Sequence, residues 1–368
     1  MSDISALPYV RAIAPYQAGK PIDELAREYG LDPGSIIKLA SNENPRGMPE
    51  SARRAITEAT TDLGRYPDSN GFALKAALSS RLNVAGDWIT LGNGSNDILE
   101  LAAAALLSPA RSCIYAQHSF AVYALATQAR GARAIVVPTK DLGHDVEAMA
   151  SAIVADTSLV YIANPNNPTG THLPAESIAR FLARVPTHVV VVIDEAYNEY
   201  LPPDRRFDSV QWVREYPNLL ISRTFSKAYG LAGLRVGYGL AQPALTDLLN
   251  RVRQPFNVNA VAQAAAVAAL GDQAFLNESY QMNVAGMRQL TDAFRRLRLD
   301  FVPSYGNFVL VNVGDADRIY EQLLKRGVIV RPVANYGLPM WLRITIGLPA
   351  ENERFVQALA DSLETVAV

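Results

Sequence analysis

Four short runs of unbroken apolar residues constrain this chain most: Ala134-Ile-Val-Val-Pro138, Leu159-Val-Tyr-Ile-Ala163, Val189-Val-Val-Val-Ile193 and Leu219-Leu-Ile-Ser222. None alternates apolar with polar residues, so a strand made from any of them has no face to give to water and belongs in a sheet covered on both sides. Helical stretches at 145–155 and 174–184 lie between the runs. Strands and helices that alternate in this way predict a mostly parallel sheet layered with helices, an α/β fold. With 49% hydrophobic residues in 368, the chain can fill one large core or two medium ones, which excludes disorder as its main state.

Past residue 250 the texture changes to an Ala-rich stretch at 260–270, a long helical pattern at 275–297 and two strand-like segments at 308–313 and 342–346. We expect a smaller α+β domain over 251–368 and a large domain over 46–250. The first 45 residues carry Pro8, Pro15, Pro21 and Pro33 and no strand-helix repeat, and are read as an extended arm or docked extension.

Thirty-four Lys and Arg stand against 36 Asp and Glu, which leaves no basic excess for a phosphate backbone, so nucleic acid is not an expected partner. The one cysteine, Cys113, excludes an intrachain disulfide, and His118, His144, His172 and His188 lack the spacing of a zinc site, so no metal is expected. Met1-Ser2-Asp3 opens without the basic start and apolar run of an export signal, and no apolar run is long enough to span a bilayer. These features predict a cytoplasmic protein with no membrane partner.

Chemistry gathers where strands should end. Gly92-Asn-Gly-Ser-Asn-Asp97 follows a predicted strand and opens a helix, so its backbone N–H groups can face an anion. It begins like a dinucleotide-binding fingerprint, yet Asp97 stands where the third glycine belongs; a plain capped turn explains it as well. Asp194, with Tyr197, closes the run from Val189 and faces the crevice where α/β sheets bind ligands. A buried carboxylate there needs a partner such as a protonated ring nitrogen, though a helix cap or an ion pair would also satisfy it. Asn164-Pro-Asn-Asn-Pro-Thr-Gly170 is a rigid turn that can aim Asn167 at a ligand oxygen. The stretch from Ser222 to Gly237 sets Lys227 beside Thr224 and Ser226, with Arg235 eight residues on. Hydroxyls and a guanidinium suit a phosphate, and a lysine among cationic and apolar neighbours is deprotonated readily enough to form a Schiff base.

In this order and spacing, the Asn167 turn, the Asp194-Tyr197 pair and the Ser222–Gly237 stretch resemble the pyridoxal-phosphate aminotransferases of fold type I. Ala14-Pro15-Tyr16, Lys38-Leu-Ala-Ser-Asn-Glu-Asn-Pro45, Arg65-Tyr-Pro-Asp68 and Leu342-Arg-Ile-Thr-Ile-Gly347 narrow the resemblance to the histidinol-phosphate aminotransferase family, over nearly the whole chain. The resemblance implies a seven-stranded, mostly parallel sheet in the large domain and pyridoxal 5'-phosphate as cofactor. It implies that Lys227 holds the cofactor covalently and then shuttles a proton, that Asp194 pairs with the ring nitrogen, and that Tyr197 and Asn167 bond the ring's phenolic oxygen. Ser95, Asn96, Thr224, Ser226 and Arg235 would hold its phosphate, and Phe120 would stack on its ring. Tyr66 would reach the neighbouring subunit's cofactor, which implies a homodimer. Tyr16, Asn44, Arg331 and Arg343 would bind substrate, and the arm at 1–45 that carries Tyr16 would contribute to the small domain and close over the site as a lid. The function implied is transfer of an amino group between histidinol phosphate and 2-oxoglutarate in histidine biosynthesis. A pocket near Tyr16, Phe120 and Tyr123 would also take phenylalanine or tyrosine, which leaves an aromatic or dual-specificity aminotransferase as the alternative. A nicotinamide-dependent dehydrogenase rests on Gly92 to Asp97 alone.

Overall fold

The computed structural model describes residues 5–16 and 19–367; Met1-Ser2-Asp3, read above for an export signal, lies outside them. A two-residue strand β1 (Ile37–Lys38) comes first. Then follow β2 (Ile89–Gly92), β3 (Ser112–Ala116), β4 (Arg133–Val137), β5 (Thr157–Ala163), β6 (Val190–Asp194), β7 (Leu219–Thr224) and β8 (Gly237–Leu240). These last seven form one sheet in the order β2-β8-β7-β6-β5-β3-β4, and only β8 runs against its neighbours.

Three of the four apolar runs become the inner strands β5, β6 and β7. Every residue of β5 and β6 is buried. Alternate side chains go to opposite faces: Val160, Ile162, Val191 and Ile193 enter one apolar cluster, while Leu159, Tyr161, Val190 and Val192 enter the other. This two-sided burial is why the runs lack alternation. The fourth run departs from the expectation. It forms β4 at the sheet edge, where Val136 is 49% exposed, because an edge strand has one neighbour and less cover. The stretch at 145–155 shortens to the helix Val146–Ser151, whose cap Asp145 accepts from the Ala148 N–H at 3.0 Å. The stretch at 174–184 becomes the helix Ala175–Leu182 behind Pro174.

Beyond the large sheet, β9 (Phe301–Val302), β10 (Phe308–Asn312), β12 (Arg331–Pro332) and β13 (Trp341–Thr345) form an antiparallel sheet in the order β12-β13-β10-β9, while β11 (Val328–Ile329) lies outside it. Its apolar face packs with Leu290 and Phe294 of the long helix Gln273–Arg296 and with Phe355 and Leu359 of the last helix. The Ala-rich helix Ala260–Gly271 goes elsewhere: Ala262, Ala265, Ala266 and Ala269 join the large sheet's cluster, against the helix Glu50–Ala59. The first 45 residues hold more regular structure than their prolines suggest. The helix Ile22–Tyr29 buries Leu25 and Ala26 beside Leu324 and Ile329, and β1 pairs in parallel with β11. A two-residue strand carries no period, so only its remote partner reveals it. No helix of the described residues is long and apolar enough to cross a membrane.

Candidate active site

The carboxyl ends of β5, β6 and β7 lie side by side, Ala163 opposite Asp194 and Asp194 opposite Ser222. Every predicted site residue except Tyr66 and Asn44 lines one cavity there, with about 870 Å³ of space that is partly open to solvent.

The buried Asp194 carboxylate accepts from the Tyr123 hydroxyl at 3.0 Å and the Ala196 N–H at 3.2 Å. Burial pushes its pKa up to about 6, against the opposing pull of the Tyr123 bond. Among the described residues no Lys or Arg comes within ion-pair distance of it, so the carboxylate is free to take a cationic N–H from a ligand. Tyr123, expected near the substrate, lies instead fully buried beneath Asp194, stacked on Tyr161 at 4.6 Å. Its ring is held by packing, and its hydroxyl is the only part that meets the site.

Lys227 Nζ donates to the Ser41 carbonyl at 3.1 Å and lies 5.7 Å from the Tyr197 ring centre. Burial, then the charge of Arg343, lowers its pKa to about 8. The Tyr197 hydroxyl accepts from Asn42 Nδ2 at 2.9 Å and from Asn167 Nδ2 at 3.2 Å, and burial raises its pKa to about 12. Arg343 donates to Asn167 Oδ1 at 2.6 Å and to the Ala40 carbonyl at 2.8 Å, while its Nε is left without a hydrogen-bond partner. Arg331 stands opposite Arg343 across β12 and β13, 5.8 Å from the ring centre of Tyr16. Two guanidiniums and a tyrosine thus face one end of the cavity.

At the other end the helix Ser95–Leu106 points its first turn at the space. Ser95 and Asn96 open it, and Thr224, Ser226 and Arg235 face them, with Arg235 Nη1 3.3 Å from Ser226 Oγ. A Cβ on Gly94 would lie 2.4 Å from Arg235 Nη2, and one on Gly237 2.5 Å from the Ser95 nitrogen. Both glycines therefore keep this cup open. Asp97, the odd residue of the glycine turn, ties the turn down by accepting from the Asn93 N–H at 2.9 Å and from Asn257 Nδ2 at 2.7 Å. The N-cap is Gly94 and makes no side-chain cap bond, so the helix's first N–H groups are left open beside the cavity.

Two predicted residues lie elsewhere. Asn44 is buried away from the cavity, donating to the Ala228 carbonyl and to Ser279 Oγ, each at 2.9 Å; it ties the loop behind Lys227 to the helix Gln273–Arg296. The residue of the Asn-Glu-Asn-Pro loop that faces the cavity is Asn42, with φ of 55°. Asn tolerates a positive φ better than most residues, but Asn44 shares that tolerance, so no sequence signal separates the two. Tyr66 is 81% exposed and stacks on Phe256 at 4.6 Å, off its own chain's cavity. Sequence reasoning also missed Ser41 and Tyr123 as partners of Lys227 and Asp194.

Fold and cavity define a class first. The family model for aminotransferase class I and II matches residues 34–359. Histidinol-phosphate aminotransferase 1 of Cupriavidus pinatubonensis is 69% identical over 97% of this chain and 96% of its own length. Histidinol-phosphate aminotransferase 2 of Ralstonia nicotianae is 67% identical over 96% of each. The crystal structure of histidinol-phosphate aminotransferase from Sinorhizobium meliloti in complex with pyridoxal-5'-phosphate superposes with a TM-score of 0.90 at 28% identity, covering 100% of this chain and 99% of that one. The chain belongs to the class I and II aminotransferases, and within them to the histidinol-phosphate aminotransferase family.

Proposed function

We propose that this chain is a pyridoxal-phosphate-dependent aminotransferase that exchanges an amino group between histidinol phosphate and 2-oxoglutarate. The observation that carries the reading is the placement of Lys227, a buried amine with a pKa near 8, between the Asp194 carboxylate, the anion cup and the Arg331–Arg343 pair. The cup suits a phosphate, the unpaired buried carboxylate suits a protonated pyridine nitrogen, and Lys227 suits an aldehyde carbon, so the residues fit the cofactor. When bound, pyridoxal phosphate supplies an electron-withdrawing ring that accepts charge as the substrate loses its α-proton.

The protein's own groups do the rest. Lys227 Nζ would hold the cofactor's aldehyde carbon and, once the substrate's amine has displaced it, would be the amine placed to move the substrate's α-proton. Asp194 would keep a proton on the ring nitrogen, and Tyr123 holds Asp194 in place. Tyr197 and Asn167 would bond the ring's phenolic oxygen, and Phe120 would cover a ring face. Arg343 and Arg331, with Tyr16 beside them, bind the substrate's anionic group; two guanidiniums suit a dianionic phosphate. We assign the working units as the arm at 1–45, the large domain at 46–250 and the small domain at 251–368, with the helix Ala260–Gly271 docked on the large one. The exposure of Tyr66, Phe72 and Leu63, at 81%, 78% and 58%, supports a homodimer in which Tyr66 reaches the partner's cofactor. The cytoplasm is its proposed location.

The aromatic rings of Tyr16 and Phe120 at the cavity favour a second reading, an aromatic amino-acid or dual-specificity enzyme. Following the cofactor's visible absorption while histidinol phosphate or phenylalanine is added separately distinguishes the two. Fast conversion by histidinol phosphate and slow conversion by phenylalanine is expected, with Lys227→Ala inert to both. Equal rates would replace the first reading with the second, and a protein that cannot be loaded with pyridoxal phosphate would overturn both.

A further inference from the structure

A tyrosine hydroxyl has two acceptor positions and one proton. On Tyr197 both acceptor positions are filled, by Asn42 Nδ2 at 2.9 Å and Asn167 Nδ2 at 3.2 Å. Each amide oxygen is engaged by a donor of its own. Asn167 Oδ1 is committed to Arg343, a group that can only donate. Asn42 is held by Thr345, whose Oγ1 accepts from the Asn42 N–H at 2.9 Å and directs its own proton to Asn42 Oδ1 at 3.1 Å. The Asn42 carbonyl in turn accepts from Asn307 Nδ2 at 3.0 Å. Asn42 and Thr345 are almost fully buried, so water does not compete for these bonds. Arg343 and Thr345 stand two residues apart on β13, and one strand therefore fixes both amides that flank Tyr197.

We propose that Asn42, locked by Thr345, is a positioning residue that turns the Tyr197 hydroxyl proton into the cavity, where it is donated to the phenolic oxygen of the bound cofactor. The inference rests on the reading of the site given above. Asn42 acts through Tyr197: with both lone pairs of the hydroxyl occupied, the proton has the cavity left to point into. A donor on the phenolic oxygen stabilises its anionic form and so lowers the pH midpoint of the transition seen in the cofactor's visible band. Losing that donor raises the midpoint.

The test is a pH titration of the visible band of the loaded enzyme in four variants. Tyr197→Phe removes the proton. Asn42→Asp is nearly isosteric and tolerates the positive φ, but presents an acceptor that draws the Tyr197 proton away from the cavity. Thr345→Val frees the Asn42 amide without adding a charge, which separates proton direction from simple electrostatics, and Thr345→Ser restores the hydroxyl. Tyr197→Phe, Asn42→Asp and Thr345→Val are expected to raise the midpoint, by on the order of one pH unit for the first two, and Thr345→Ser to keep the wild-type value. If Tyr197→Phe moves the midpoint while Asn42→Asp and Thr345→Val do not, the positioning role is wrong and the site reading stands. If Tyr197→Phe leaves it unmoved, both fall.

Discussion

Asp194 and Lys227 are each held away from their ordinary protonation by burial, and the cavity is costly to the fold until it is filled. Asp194 titrates near 6 in the folded protein, against about 3.9 in an unfolded chain, so between those values the folded state binds more protons and stability is lost as pH rises through 6. Lys227 titrates near 8 against about 10.4, so the folded state binds fewer protons over that range and stability is lost as pH falls through 8. Both penalties are full between pH 6 and 8. In protein stripped of cofactor, Asp194→Asn and Lys227→Met should each raise the melting temperature at pH 7, by roughly a few degrees. The gain from the first should fade on acidification below pH 4, and that from the second above pH 10. Calorimetry across pH checks this, and a gain independent of pH would point to packing instead of charge.

The helix Ser95–Leu106 carries the anion cup because its first turn has backbone N–H groups to spare and its N-cap, Gly94, contributes no side chain to satisfy them. Gly94 sits at φ 81° and ψ 167°, a conformation close to glycine-only, with Arg235 against the place a side chain would fill. Gly94→Ala should therefore strain the turn and displace Arg235, which can swing away at its flexible end while the fold survives. Titration of the stripped enzyme with pyridoxal phosphate should show affinity weakened at least about tenfold, the equivalent of ~1.4 kcal/mol, within the usual cost of such strain. Unchanged affinity would mean that the cup does not depend on the turn.

Over the whole molecule, the cavity joins segments remote in sequence. Residues 40–42 come in from the arm, 163–197 and 224–235 from the large sheet, and 331–345 from the small one. Arg343 and Lys227 donate to the carbonyls of Ala40 and Ser41, so the arm is stitched to both sheets at the reacting centre. The exposed Leu63, Tyr66 and Phe72 lie off that cavity and form the surface expected to meet a second copy. On the proposed homodimer, Phe72→Asp should shift sedimentation to a single chain and weaken cofactor retention, because the proposed contact of Tyr66 with the partner's cofactor would be lost with the interface. A dimer that survives Phe72→Asp and Leu63→Asp together would place the interface elsewhere.

Much of this protein was legible in its sequence because the chemistry is local. An apolar run without alternation says that a strand is covered on both faces, and the carboxylate that ends the Val189 run, the Asn-Pro turn and the Ser-Lys segment each mark a strand terminus where a ligand belongs. Those signals marked Asp194, Asn167 and Lys227 each as a candidate, and the resemblance carried by their order and spacing placed them in one site before any coordinates did. What only tertiary structure decided was which of several adjacent, chemically equal residues faces inward. Asn42 and Asn44 are indistinguishable in sequence, and the positive φ of Asn42, imposed by Thr345 and Asn307 some 260 to 300 residues away, sends one to Tyr197 and the other to Ser279. Tyr123 was visible as an aromatic near the site, but its place beneath Asp194 follows from the stacking of Tyr161 against it. β4 reads like an interior strand and becomes an edge, because position within a sheet is set by topology and by how far the covering helices extend.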